Sequence, residues 1–357
     1  MIKTRIEFLQ SNLKEGEAAL ISSDADRLYY TGFHSSAGYV AVTRERAVFL
    51  IDFRYFEKAK QTVDSCEVIL LKNFSNQLGE LFISQKIKTV YLETDTVSLS
   101  AFSSLKNRLP DFEFSSNGKI QSLISKQRSI KSDDEIALIK KAQKMTDETF
   151  TYILNNISVG RTEREVMLDM EFYMRRLGSE GVSFDFIVVS GKNSSMPHGV
   201  PTDKKIEKGD FITMDFGAVC GGYRSDMTRT VAVGEVSDRQ KEVYGIVLKA
   251  QKETIDFIKP GVVCKEVDRV ARDIISGAGY GDCFGHGLGH SVGLEIHENP
   301  ACNTVCDTVL EREMIMTVEP GIYIENEFGV RIEDMVVVTE NGCENLTASK
   351  KELIVLY

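Results

Sequence analysis

The chain has 357 residues, 42% of them hydrophobic, with a formal net charge of −10. That length and apolar content fit two domains with substantial cores. Net acidity without a Lys/Arg block disfavours nucleic acid as a partner, since phosphate binding needs a basic surface.

The opening stretch MIKTRIEFLQSNLKEG is charged and amphipathic, and no apolar run along the chain reaches the length needed to span a bilayer. Seven cysteines, an odd number, lie scattered and read as reduced thiols. A soluble cytoplasmic protein without a membrane partner is expected. Tyr39–Val42 and Ala47–Ile51 read as the strands of a hairpin, and Val68–Leu71 and Thr89–Leu92 as further strands. Amphipathic stretches between them complete a small α/β domain. His34, in a Gly-Phe-His-Ser-Ser loop, admits a structural or a substrate-contacting role equally. Ser132-Asp133-Asp134-Glu135 then reads as a capping box opening a helix through Ile136, Ile139, Ala142, Met145 and Phe150. The domain boundary is placed just before it, giving domains 1–127 and 128–357.

The second domain echoes itself. Gly160-Arg161-Thr162-Glu163-Arg164-Glu165-Val166 returns as Gly261-Val262-Val263-Cys264-Lys265-Glu266-Val267. Asp215-Phe216-Gly217 with Arg224-Ser225-Asp226 returns as Glu319-Pro320-Gly321 with Arg331-Ile332-Glu333. Two copies of a helix–helix–hairpin unit account for both echoes. In the first hairpin, strands Phe211–Ala218 and Tyr223–Val233 flank a turn. A turn on Cys220-Gly221 sets Asp215 opposite Asp226; a turn on Gly221-Gly222 shifts the pairing by two and keeps both acids on one face. A bulge would break this inference. Arg331 and Glu333, two apart on a strand, share a face, and Glu319 is expected to end its strand at a Pro-Gly turn.

Three of the five histidines fall in Gly285-His286-Gly287-Leu288-Gly289-His290-Ser291-Val292-Gly293-Leu294-Glu295-Ile296-His297-Glu298. Glycines at that density let the backbone bend or approach a ligand closely, and imidazoles are common metal ligands. Four carboxylates on one side of a sheet repel each other unless cations balance them. Asp215, Asp226, Glu319 and Glu333 with His290 suit two divalent ions, Mn²⁺ before Co²⁺ or Zn²⁺ because oxygen ligands dominate. His198, His286 and His297 are left to orient a substrate carbonyl and shuttle protons. Arg224 and Arg331, each two residues before a candidate ligand, are expected to brace the acids. Cys302 and Cys306 lack a second pair to complete a metal site and read as incidental thiols. The glycine run does not keep dinucleotide-binding spacing, and neither a His-Glu-x-x-His nor a G-x-S-x-G motif occurs.

The ordered set Asp215, Asp226, His290, Glu319, Glu333, and the segment His286 to Glu298 above all, resembles the proline-specific branch of the pita-bread metallopeptidases, which includes aminopeptidase P and prolidase. Tyr30-Thr31-Gly32-Phe33 and Asp52-Phe53-Arg54-Tyr55 resemble stretches of the extra N-terminal domain of those enzymes. The resemblance implies an α/β N-terminal domain followed by an α+β pita-bread, creatinase/aminopeptidase-like domain with an internal pseudo-two-fold repeat. It implies that Asp215 holds one metal, Asp226 and Glu333 bridge both, and His290 and Glu319 hold the second, with Glu319 as general base. His198 and His297 would contact substrate, His286 would support a proline pocket, and Arg331 would brace the site. The implied reaction is cleavage of the bond between an N-terminal residue and a following proline in a peptide, by a homodimer. Several relatives carry a Pro-Arg pair where this chain has Pro300-Ala301, which tilts the expectation towards peptides longer than Xaa-Pro. The competing readings are a creatinase-like, metal-free hydrolase and a non-catalytic pita-bread binding module; retention of every ligand argues against both.

Overall fold

The computed structural model describes residues 2–357. The chain divides into two compact units, one ending at Gln127 and the other running Arg128–Tyr357.

The first unit is built on a six-stranded mixed sheet. Tyr39–Thr43 and Ala47–Ile51 form the antiparallel hairpin, and Glu17–Ile21 pairs antiparallel with the first of them. Glu67–Leu70, Thr89–Leu92 and Glu113–Ser115 add on in parallel. The central strands are buried along nearly their whole length, as β-branched runs covered on both faces require. Leu20, Ala41, Val48, Leu50, Leu78 and Phe82 pack together on one side. His34 is exposed in its loop. Glu93, wholly buried beyond the end of its strand, accepts hydrogen bonds from the Ser22 and Ser23 backbone N–H groups. Burial and the neighbouring Asp26 push its carboxyl up to about 7.

The second unit carries the repeat in three dimensions. Helices Asp133–Leu154 and Glu163–Arg176 precede the strand pair Phe211–Phe216 and Met227–Val233. Helices Asp238–Phe257 and Cys264–Gly277 precede Ile315–Val318 and Asp334–Val338. Ser132 and Glu135 close a reciprocal cap on the first helix, as their spacing predicts. The echoed glycines do the same job twice. Gly160 and Gly261 adopt φ of 92° and 88°, a region that favours glycine. Their N–H groups donate to Ile206 O and Leu310 O, and the next helix starts beside a single bridge, Thr162 to Lys205 or Val263 to Val309. Each half has its own core: Ile153, Met170 and Met214 belong to one, Val247, Ala271 and Met316 to the other.

The hairpin register follows the Gly221-Gly222 alternative: Tyr223 pairs with Cys220 and Thr228 with Asp215. No register shift intervenes, but the ladder is interrupted. Phe211–Phe216 stops before Gly217, and Met227–Val233 starts after Asp226. The second hairpin is interrupted in the same place. Glu319 and Pro320 lie between Ile315–Val318 and Gly321–Ile324, and the strand runs on instead of reversing at the expected Pro-Gly turn. Glu333 likewise sits between Phe328–Arg331 and Asp334–Val338, outside any strand. Three of the four acids thus fall at breaks, where the backbone is free to swing a side chain towards a common point.

Candidate active site

Both hairpins deliver their acids to one place within the second unit. Ligand oxygens of Asp215, Asp226 and Glu333 lie within 4.8 Å of one another. Asp215 Oδ1, Asp226 Oδ1 and Glu333 Oε1 are all buried and have no hydrogen-bond partner. Buried anionic oxygens without partners are costly, and a cation is what their geometry lacks. Burial and the surrounding carboxylates raise Asp226 and Glu333 well above the ordinary carboxylate range, and burial lifts Glu319 to about 8 despite Arg331.

His290 arrives from the glycine-rich segment. Strand Gly289–Ser291 lies against Thr317: a Cβ on Gly289 would collide with the Thr317 carbonyl oxygen, so glycine permits the approach. The His290 N–H donates to Thr317 Oγ1 (3.0 Å), and that hydroxyl donates to Glu319 Oε1 (3.1 Å). Its Nδ1 donates to Ser291 O (3.1 Å), which leaves the Nε2 lone pair facing Glu319 Oε1 at 3.4 Å and Asp226 Oδ2 at 3.7 Å. Burial and His297 lower this imidazole to about 4, so it is neutral and ready to ligate. The donor set therefore fits divalent ions: carboxylates on one side, and His290, Glu319 and Asp226 on the other.

Arg331 lies behind the acids. Its Nη2 donates to Asp215 Oδ2 (2.6 Å), its Nε to Thr228 Oγ1 (3.0 Å), and Thr228 in turn donates to Glu333 Oε2 (2.7 Å). Arg331 Nη1 also donates to the hydroxyl of Tyr323 (2.7 Å), which meets His286 Nε2 at 3.0 Å. Sequence reasoning missed Tyr323, Thr228 and Thr317; a residue recruited from a neighbouring strand leaves no spacing signal. His286 Nδ1 lies 2.8 Å from Gly287 O, so both its nitrogens are engaged by the protein, and burial lowers its pKa to about 4. That arrangement suits a brace better than the proton shuttle expected from sequence. His297, exposed, stands edge-on to His290 at 4.4 Å between ring centroids, and His198 is exposed on the loop whose Pro197 carbonyl accepts from Arg331 (3.2 Å). Arg224 differs from expectation. It bonds the backbone of Leu294 and Ser183, holding the Gly293–Leu294 segment rather than the ligand acids.

The four acids and His198, His286, His290 and His297 line one cavity of about 970 Å³. The Cys302 thiol donates to Cys264 O (3.1 Å) and is no part of this group. Among the described residues, no helix is long and apolar enough to cross a membrane.

Comparison with known proteins places this geometry. Residues 137–340 match metallopeptidase family M24, and residues 5–130 match the creatinase/prolidase N-terminal domain. The chain belongs to metallopeptidase family M24. An Xaa-Pro dipeptidase of Pyrococcus horikoshii is 39% identical over 99% of this chain and 98% of its own length. The structure of an Xaa-Pro dipeptidase from Bacillus anthracis matches with a TM-score of 0.95 at 43% identity, covering 100% of both chains. An X-Pro aminopeptidase from Thermotoga maritima matches with a TM-score of 0.90 at 40% identity, covering 99% of both. The creatinase/prolidase N-terminal domain and a pita-bread catalytic domain are thus the fold of this chain, and divalent metal ions are what its family uses.

Proposed function

We propose that this protein is a dinuclear-metal Xaa-Pro peptidase that cleaves short peptides, Xaa-Pro dipeptides among them, before the proline. The observation that carries the reading is the trio of buried, unpartnered carboxylate oxygens on Asp215, Asp226 and Glu333, beside a neutral His290 whose Nε2 faces Glu319 and Asp226. Asp215, Asp226, His290, Glu319 and Glu333 would hold two divalent ions, Mn²⁺ first given the oxygen-rich set, with Co²⁺ or Zn²⁺ as alternatives. When bound, the ions supply an activated water and polarise the scissile carbonyl.

The protein's own groups do the rest. Glu319 takes the proton from the attacking water and passes it towards the prolyl nitrogen, which must be protonated to leave. His198 and His297, exposed within the cavity, orient the substrate carbonyls. His286, held by Tyr323, shapes the wall without titrating near neutrality. Arg331 holds Asp215 and, through Thr228, Glu333 in place. The dipeptidase names of the relatives at 39% and 43% identity support the short-peptide reading over the tilt that Ala301 suggests. We infer a homodimer from the family resemblance, and sedimentation equilibrium checks it.

The test is hydrolysis of Xaa-Pro, Xaa-Pro-Xaa and Xaa-Ala by protein loaded with Mn²⁺. Cleavage of both prolyl substrates with Xaa-Ala spared is expected. Cleavage of Xaa-Ala at the rate of Xaa-Pro removes the proline assignment.

A further inference from the structure

The cavity wall is strongly acidic, yet a short peptide brings its own carboxylate into it. Among the described residues lining the cavity, Arg164 and Arg331 are the only lysine or arginine side chains. Arg331 is buried behind the acids: Thr228, Pro197 O, Tyr323 and Asp215 take four of its five N–H donors, and its side chain is only 4% exposed. Arg164 is the opposite case. Among the described residues its one side-chain bond runs from Nε to Asp203 Oδ1 (3.0 Å), with Nη1 and Nη2 making none, in a pair whose side chains are 53% and 82% exposed. Exposed pairs of this kind are weak and readily exchange one carboxylate for another.

Arg164 is also well anchored at its base. Its backbone N–H donates to Thr202 O (3.1 Å). The adjacent Glu163, wholly buried, accepts from the Thr202 and Ser190 backbone and side-chain groups and from Asn193. Those bonds tie the start of the Glu163–Arg176 helix to the loop that carries His198. Met167, one turn on, and Val200 and Pro201 line the cavity beside it, giving an apolar surface next to a guanidinium fork.

We propose that Arg164 is the specificity residue that receives the C-terminal carboxylate of the short peptide substrate, releasing Asp203 as it does so. The inference rests on the peptidase reading above. A guanidinium suits the role because it meets a carboxylate with two parallel hydrogen bonds.

The experiment uses the Mn²⁺-loaded full chain and two substrates differing only at the terminus, an Xaa-Pro free acid and its carboxamide. Kinetics are paired with calorimetric binding of reduced-bond, uncleavable versions of each. Wild type is expected to favour the free acid by at least about tenfold in kcat/KM, the scale of a charge-assisted bidentate contact. Arg164→Gln should remove most of that preference through KM and weaken binding of the acid analogue to the level of the amide analogue. Asp203→Asn, a surface change unlike any in the core, should raise the acid-to-amide ratio because the fork loses its resting partner. Equal losses on acid and amide in Arg164→Gln, or a ratio in Asp203→Asn no higher than wild type, overturn the assignment. Cleavage of both substrates by wild type without discrimination overturns Arg164 alone and leaves the peptidase reading standing. Cleavage of neither overturns both.

Discussion

Lys131→Met tests how the histidine segment is held. Lys131 is 1% exposed, and its Nζ lies 3.0 Å from Glu298 Oε2 and 3.1 Å from Ser291 Oγ. Arg128 bonds the other oxygen of Glu298 and also reaches Glu295 at 2.7 Å. Burial alone would raise the Glu298 carboxyl; Lys131 and Arg128 override it and bring it from 4.5 down to about 2. That gap corresponds to about 3 kcal/mol favouring the ionised, paired form. Because this pKa is depressed, the stabilisation is present above about pH 4.5 and lost as pH falls through about 2. Removing Lys131 leaves a buried carboxylate with one cation fewer, a change that costs about 3 kcal/mol. For a chain of 357 residues, that lowers Tm by about 4 °C. Ser291 follows His290 and Glu298 follows His297, so kcat should fall as well, by about a hundredfold if the imidazoles drift by an ångström. Scanning calorimetry on metal-loaded protein and steady-state kinetics on an Xaa-Pro dipeptide read both effects. The Lys131→Met, Glu298→Met double variant should regain much of the lost Tm, since removing both partners leaves no unpaired charge there. A single variant that melts with wild type and turns over at its rate refutes the reasoning.

Asp215→Ala should abolish turnover and lower the bound metal per chain measured by elemental analysis; full activity in that variant removes Asp215 from the ligand set. Stripping divalent ions with a chelator should lower Tm, because ions at a hundredfold excess over Kd add about 3 kcal/mol, and restoring Mn²⁺ should reverse the change. Glu93 gives a pH signature unrelated to the active site. Its carboxyl is raised from 4.5 to about 7, so its contribution is present below about pH 4.5 and lost as pH rises through about 7. Glu93→Gln, which mimics the protonated form, should flatten the urea-unfolding stability difference between pH 5 and 8, about 3 kcal/mol at most in wild type. A variant whose pH slope matches wild type would show that Glu93 does not carry the titration.

Four of the six strands of the first unit were legible because each is a short β-branched or aromatic run between turn residues; Glu17–Ile21, rich in alanine, and Glu113–Ser115, only three residues long, carry no such signal. The Ser132 cap was legible because a reciprocal cap needs two residues at fixed spacing. The repeat was visible only as two short echoes, yet those mark its most constrained points: the left-handed glycines and the acids. At Glu319-Pro320 a strand end was foreseen but not that strand resumes at Gly321, and the break at Gly217-Ala218 was not foreseen. Phe211–Ala218 read as continuous strand because local pattern records β-propensity, whereas the interruption comes from distant partners. Thr146 Oγ1 and Ser225 Oγ bond the Ala218 N–H, and Met335 Sδ takes the Asp226 N–H.

The same division separates chemistry from arrangement. Residue types and their order determined which groups this protein brings to its reaction, because ligand chemistry belongs to individual side chains and survives in the linear text. What each group can do there was decided only by folding. His286 and His290 sit four residues apart with the same side chain, and burial lowers both to about 4. One has both nitrogens consumed by Gly287 and Tyr323; the other keeps Nε2 open towards Asp226 and Glu319. Hydrogen-bond partners drawn from remote strands set that difference, and a linear sequence does not state which remote atoms will meet.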